Sequence, residues 1–210
     1  MFQTVMSFTF RFLFLSGVVA LTFSSCDNPA DDITDARVED PAIVPIVSGG
    51  TTYSFTDNSS INFVGYKVTG KHDGGFKDFE GSFTLKDGEP QAGNFTIDMS
   101  STWSDAEKLT TKLKSDEFFD VEQFPKSEFV VTEFAKKSDE SYDVSGNLTL
   151  HGVTKNITFP TVVKISDGLV KVDAQFDIKR FDFEIVYPGK TDDLIRDEVS
   201  IKFSLEAKSN

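Results

Sequence analysis

The sequence predicts an all-β domain with one short helix, and three observations carry that expectation. Apolar and polar residues alternate with period two through most of residues 51–210, as in strands with one buried and one wet face. Turn signals separate the runs at Asp57-Asn58, Asp73-Gly74-Gly75, Lys86-Asp87-Gly88 and Ser166-Asp167-Gly168, each suited to a tight reversal. One stretch alone, beginning at Ser104, reads with helical spacing. With 210 residues, 39% of them hydrophobic, the chain has the length for one domain with a substantial core, or a domain with a leader.

Taken from its start, the chain opens on a leader. Six of the 22 Phe, but none of the 34 acids, lie in the first 26 residues. A lone positive charge at Arg11 precedes an apolar run from Phe12 to Phe23, and Ser24, Ser25 and Cys26 come next. This is the layout of a secretory signal peptide over residues 1–25, with Met6 as an alternative start. A run of 12 residues falls short of the roughly 20 that a membrane-spanning helix needs. Cys26, the sole cysteine, stands where the leader ends, and with Ser24 and Ser25 it resembles the bacterial lipoprotein box. That resemblance implies lipidation of Cys26, cleavage before it, and attachment to a membrane through the N-terminal lipid; the alternative is a secreted protein with a free thiol. Residues 26–50 read as a flexible acidic tether. Six acids and one Arg crowd Asp27–Asp40, and Pro41, Pro45 and Gly49-Gly50 interrupt the more apolar remainder.

The domain then runs over 51–210. Strands are expected around Tyr53–Phe55 and Ile61–Val68, and along faces marked by Phe79, Phe83 and Leu85, and by Phe95, Ile97 and Met99. Others are expected around Phe129–Phe134, Tyr142–Leu150, Ile157–Ile165, Val170–Ile178 and Val199–Leu205, eight or nine in all. Ser104-Asp-Ala-Glu107 has capping-box spacing, and Leu109 and Leu113 share a face, so a helix of about ten residues is expected there. The Phe118-Phe119-Asp-Val121-Glu-Gln-Phe124-Pro125 loop behind it is placed to close one end. Eight antiparallel strands with one apolar face make either a closed barrel or a two-layer sandwich. Alternation alone does not say whether sixteen domain Phe fill the interior or line a cavity.

Composition excludes several functions. A formal charge of −13 disfavours nucleic acid, whose phosphates call for Lys and Arg. One Cys and two His exclude a Cys₄ or Cys₂His₂ zinc site and any intrachain disulfide framework, and no metal or other cofactor is expected. No nucleophile elbow, phosphate loop, HExxH or dinucleotide fingerprint is present, so the domain is expected to be no enzyme.

Four motifs then carry a family resemblance. Leu113-Lys-Ser-Asp-Glu-Phe118-Phe119-Asp-Val-Glu-Gln-Phe124-Pro125-Lys-Ser-Glu-Phe129 resembles the L-x-S-x-x-F-F-D-V-x-x-(Y/F)-P-x-x-x-F hallmark of the YceI-like domain. Val144-Ser-Gly146-Asn-Leu148-Thr-Leu150-His-Gly152-Val-Thr154-Lys-Asn-Ile157 is similar to that family's strand pair, Ile178-Lys-Arg180-Phe-Asp-Phe183 to its I-x-R-x-x-F-G segment, and Asp197-Glu-Val199-Ser-Ile201 to its last strand. Glu184 stands where the family usually carries Gly. The resemblance spans about residues 52–207. It implies a lipocalin-like extended antiparallel eight-stranded β-barrel, secreted or periplasmic, that encloses a polyisoprenoid chain such as a polyprenyl phosphate or quinone tail.

Such a chain is held mainly by apolar area, and the expected lipid-binding residues are Phe83, Phe95, Ile97, Phe129, Val131, Leu148 and Phe176, with Trp103 and Phe119 near the mouth. Each is equally suited to an ordinary packed core. Arg180 is a candidate for a head-group phosphate, or for pairing with Asp177 or Asp182. The expected setting is a bacterial cell envelope, as a periplasmic or surface lipoprotein with an apolar lipid ligand. A filled barrel serving as an interaction module is the alternative, and a homodimer is left open.

Overall fold

The structure is a computed structural model that describes residues 33–166 and 168–209. Cys26 and the leader lie outside the described residues. Thirteen strands appear among the described residues, in chain order: β1 (Arg37–Glu39), β2 (Thr51–Phe55), β3 (Ser60–Lys67), β4 (Gly70–Phe76), β5 (Phe79–Lys86), β6 (Glu89–Asp98), β7 (Thr102–Ser104), β8 (Lys126–Lys136), β9 (Ser141–Leu150), β10 (Val153–Ser166), β11 (Leu169–Lys179), β12 (Gly189–Lys190) and β13 (Asp193–Ser209). One helix, α1 (Glu107–Lys114), comes after β7.

The wall closes through eight antiparallel strands, in the order β10-β9-β8-β6-β5-β2-β13-β11 and back to β10. Closure removes the long unpaired edges on which a second chain could build. The strand count exceeds the expected eight or nine because three wall strands are interrupted and the short β1 and β12 are added to β10 and β13. β2 and β3 both pair with β13, at Tyr53↔Ser209 and Ile61↔Phe203, so they are one kinked strand broken at Asp57-Asn58. β4 then continues into β5, and β6 into β7, beside them.

Inward positions obey the predicted alternation: Val170, Val172, Ala174, Phe176 and Ile178 of β11 are buried while Lys171, Asp173 and Gln175 are exposed. Close approach of the strands depends on small residues at particular points. A Cβ at Gly146 of β9 would sit 2.3 Å from the Phe129 ring, and a Cβ at Gly93 of β6 would sit 2.8 Å from Phe83. Glycine there gives each ring a flat surface to rest on.

Two expectations are corrected. The capping box at the start of α1 does not form: the helix is capped at Ala106 without a side-chain bond. Ser104 ends β7 instead, where its hydroxyl donates to the Ala106 carbonyl at 2.9 Å and meets the Thr110 hydroxyl at 2.8 Å. The tether expected over 26–50 is, at its centre, part of the barrel wall. β1 lies antiparallel to β10 at Val38↔Ile157, and Asp35 bridges to Asp177 of β11. β10 and β11 pair only from Thr161↔Ala174 to Ser166↔Leu169, so their mouthward backbone groups need partners, and this segment supplies them. Farther on, Ala42 exchanges two hydrogen bonds with the Asn147 side chain, while Ile43 and Ile46 are 94% and 99% exposed.

The mouth end is held by Arg180, in the short 3₁₀ turn Arg180–Phe183 after β11. It is 3% exposed. Its guanidinium donates to the carbonyls of Ile185 (2.5 Å), Arg196 (2.9 Å) and Ile195 (3.3 Å), tying the turn to the start of β13. Glu184 closes the turn at φ 58°, a left-handed conformation that glycine adopts at lower cost.

Gly146→Ala is expected to lower stability by about 1–3 kcal/mol, because Phe129 must leave its rotamer, visible as a drop of several degrees in a thermal melt. Arg180→Met is expected to cost about 2–4 kcal/mol in denaturant titration, since it strands the buried Ile185 carbonyl and the half-buried carbonyls of Ile195 and Arg196, with Arg180→Lys recovering part of the loss.

Candidate functional site

Inside the barrel is a cavity of about 340 Å³, bounded almost wholly by apolar side chains and opening at the end that carries α1, Arg180 and β12. That volume lies within the range of small-molecule pockets. Two aromatic clusters frame it. In the first, Phe159 stacks on Phe176 with centroids 4.0 Å apart, and Phe95 stacks on Phe129 at 5.2 Å. Phe203 meets Phe159, Phe176 and Phe95 edge-on and joins the pairs. These rings come from β6, β8, β10, β11 and β13, one inward position from each. They hold one another rigidly, so the face they turn to the cavity is preformed.

The second cluster stands at the mouth. Phe63 packs on Phe76 at 5.7 Å, Phe76 on Phe119 at 6.3 Å, Phe119 on Phe118 at 6.0 Å, and Phe118 on Tyr187 at 5.6 Å. Gly74 permits this, since a Cβ there would sit 2.3 Å from the Phe63 ring. Phe118 and Phe119 come from the loop after α1, which lies across the end of the barrel as expected.

Of the residues expected to bind lipid, Phe95, Ile97, Phe119, Phe129, Leu148 and Phe176 line this cavity. Phe83, Val131 and Trp103 do not. Phe83 and Val131 are buried at the other end of the barrel, where Phe83 packs on Phe55 at 5.2 Å and both would crowd a Cβ at Gly93. Trp103 lies on β7 opposite Gly75, outside the cavity. Alternation gives the direction of a side chain, not its depth along the axis. For the same reason it does not single out Phe159, Phe203 and Ile178, which lie on the same predicted faces and do line the cavity. Phe118 is legible in the FFD motif and Phe63 in the alternation of Ile61–Val68, but neither carries a polar mark.

Arg180 borders the cavity, yet its three bonded nitrogens are spent on backbone carbonyls rather than on Asp177 or Asp182. Burial lowers its pKa, and Asp197 partly restores it. Polar groups gather at the mouth. Lys67 pairs with Asp193 at 2.7 Å, and that bond, with help from Thr69, holds the Asp193 carboxyl below its ordinary range. Lys112 pairs with Glu117 and lies 4.2 Å over the Tyr187 ring. His72 meets Asp105 at 2.8 Å, and Asp105 is held low chiefly by the Asp73 amide and then by His72. Among the described residues no group of three or more His, Cys, Asp or Glu is arranged to hold a metal ion.

Comparison with known proteins agrees with this architecture. The family model for the YceI-like domain matches residues 54–207. A UPF0312 protein of Pseudomonas putida (strain W619) is 32% identical over 138 residues, covering 61% of this chain and 71% of that protein. Protein YceI of Salmonella arizonae is 42% identical over 87 residues, 40% of this chain and 45% of its own length. Among solved structures, Burkholderia cenocepacia BcnA superposes with a TM-score of 0.66 at 24% identity, covering 71% of this chain and 96% of that one. A polyisoprenoid binding domain from Saccharophagus degradans, implicated in plant cell wall breakdown, superposes at 0.64 with 20% identity, covering 77% of this chain and all of that one. At such identities the structural matches speak for the fold. With a family match across the barrel, a like fold in solved structures, and the four sequence motifs at its mouth and strands, the chain belongs to the YceI-like domain family.

Proposed function

We propose that this protein is a non-enzymatic carrier that holds a long apolar isoprenoid lipid, of the polyprenyl phosphate or quinone type, in its barrel. The observation that carries the reading is the preformed apolar cavity between two aromatic clusters. The polyisoprenoid binding domain of Saccharophagus degradans, with the same fold, supports it. A five-carbon isoprene unit buried there gains on the order of 4 kcal/mol gross, at about 0.8 kcal/mol per buried carbon, before ordering costs. Affinity then rises with the number of units the cavity takes in. In this reading the head group meets the mouth, where Lys67, Lys112 and His72, each beside an acid, border the cavity.

The reading includes export by the leader and attachment to a bacterial envelope membrane through lipidated Cys26, on the periplasmic side or at the surface. A barrel filled by its own side chains and acting only as an interaction module is the second reading; the cavity speaks against it.

Leu148→Trp separates the two. Leu148 faces Phe129 across β8 and β9 and borders the cavity, so the larger ring occupies ligand volume. Titration with a long-chain polyprenyl phosphate and with a quinone of similar tail length is expected to show binding of both, within about tenfold of each other. Plugging is expected to weaken both at least about tenfold, about 1.4 kcal/mol, with the far-ultraviolet spectrum unchanged. Failure of the native protein to take up either lipid, or equal binding by the plugged variant, contradicts the proposal.

A further inference from the structure

Toward the mouth, the wall between β10 and β11 is stitched rather than continuous. Beyond Thr161↔Ala174 the two strands no longer pair, and residues 34–39 fill the gap. This segment is antiparallel to β10 through Arg37↔Thr158, Val38↔Ile157 and Glu39↔Asn156. Its hold on β11 is slighter: the Ala36 amide donates to the Asp177 carbonyl at 2.8 Å, and the Asp177 amide to the Thr34 carbonyl at 3.0 Å. Ile157 and Phe159 on one side of the seam, and Phe176 and Ile178 on the other, line the cavity. Ala36 and Val38 pack against the same core.

At this seam lies a buried carboxyl group whose nearest polar neighbour, Ser200, is already engaged elsewhere. Asp177 is 2% exposed, and neither of its side-chain oxygens has a hydrogen-bond partner among the described residues. Its cross-strand neighbour Ser200 has its hydroxyl at 2.9 Å from that of Tyr66 on β3. Asp177 forms part of a cleft with Asp35, Glu39 and Asp40 of the N-terminal segment, Lys155 of β10, Lys179 of β11 and Asp182 of the 3₁₀ turn. Glu198 of β13 adds a further negative charge. The two lysines are outnumbered, and Lys155 leans to Asp40 at 3.7 Å. Burial above all, then Asp35 and Glu198, pushes the Asp177 carboxyl above its ordinary range, with Ser200 a partial offset.

We infer that residues 34–39 form a detachable seam strand and that the Asp177 carboxyl is its proton-operated latch. With Asp177 protonated the strand is docked. When Asp177 ionises it is drawn to water, the strand lifts, and the wall opens sideways onto the cavity. Each docking event takes up one proton and each release returns it. Docking is favoured in full below the ordinary carboxylate range, near pH 4, and weakens up to tenfold per pH unit from there to the raised docked value.

Lifting also lengthens the connection to Cys26. Seven residues lie between Cys26 and Thr34, a reach of about 29 Å at most over the eight Cα steps, whereas 15 lie between Cys26 and Ala42, where the Asn147 side chain next holds the chain. What passes through the seam rests on the lipid reading, and the change in reach rests on the membrane attachment. The latch itself rests on neither, so its failure is distinct from theirs.

Amide hydrogen exchange on the full-length chain from pH 4 to 7, corrected for intrinsic rates, tests it without any ligand. Protection at Ala36 and Asp177 is expected to fall at least tenfold across this range, while Phe83 and Phe95 keep theirs. In Asp177→Asn the seam amides are expected to show protection independent of pH. Flat protection in the native chain, or the same fall in Asp177→Asn, overturns the inference. If Phe83 loses protection in that variant, showing that it does not fold, Asp35→Asn decides: a smaller fall at the seam supports the latch, and an unchanged fall overturns it.

Discussion

Closing an eight-stranded wall around more volume than its own side chains fill is the constraint on which the rest of this structure depends. Every strand must find a hydrogen-bonded neighbour on both sides, because backbone groups left unpaired in a buried wall are costly. Seven of the eight junctions are met by antiparallel pairing, with register shifts in places, three of them through strands that kink and resume. The eighth, between β10 and β11, closes over half its length and borrows the N-terminal segment for the remainder. A cavity wide enough for an apolar chain and a seam that needs an extra piece of backbone are two consequences of one geometry.

Aromatic side chains solve the opposite problem, that of keeping such a cavity from collapsing. A ring packed on other rings has few rotamers to fall into. The Phe95, Phe129, Phe159, Phe176 and Phe203 group is braced on every side, and Gly146 lets Phe129 lie flat against β9. Leucines in those places would have the freedom to fill the gap. At the far end the same residue type does the reverse, with Phe55 and Phe83 packed together and Val131 close by. Fill and cavity are thus divided along the barrel axis, not between residue types.

This division explains which features are legible in the sequence. Alternation identifies the inward residues of β8 to β11 and β13, and the kink at Asp57-Asn58 is marked as a turn. Six of the nine expected lipid contacts reach the cavity because they lie at its level; Phe83, Val131 and Trp103 have comparable local patterns at other levels. Axial position is set by register and shear of the closed wall, which no local window contains. The seam strand escapes a sequence reading for another reason. Asp35-Ala-Arg-Val-Glu39 does alternate, but its acidity masks the period, and a backbone gap far along the chain leaves no local sign. Arg180 stands out in the sequence for its charge, yet the structure spends three of its donors on holding the mouth together.

Whether the cavity is a lipid site or a packing fault is decided by organic extraction of protein purified without detergent, with mass spectrometry of the extract. A lipid site yields an isoprenoid lipid in near-stoichiometric amount, and a marked loss of it from the Leu148→Trp protein prepared in parallel. Extracts free of isoprenoid, from a protein that also leaves added polyprenyl lipids and quinones in solution, would contradict the lipid reading.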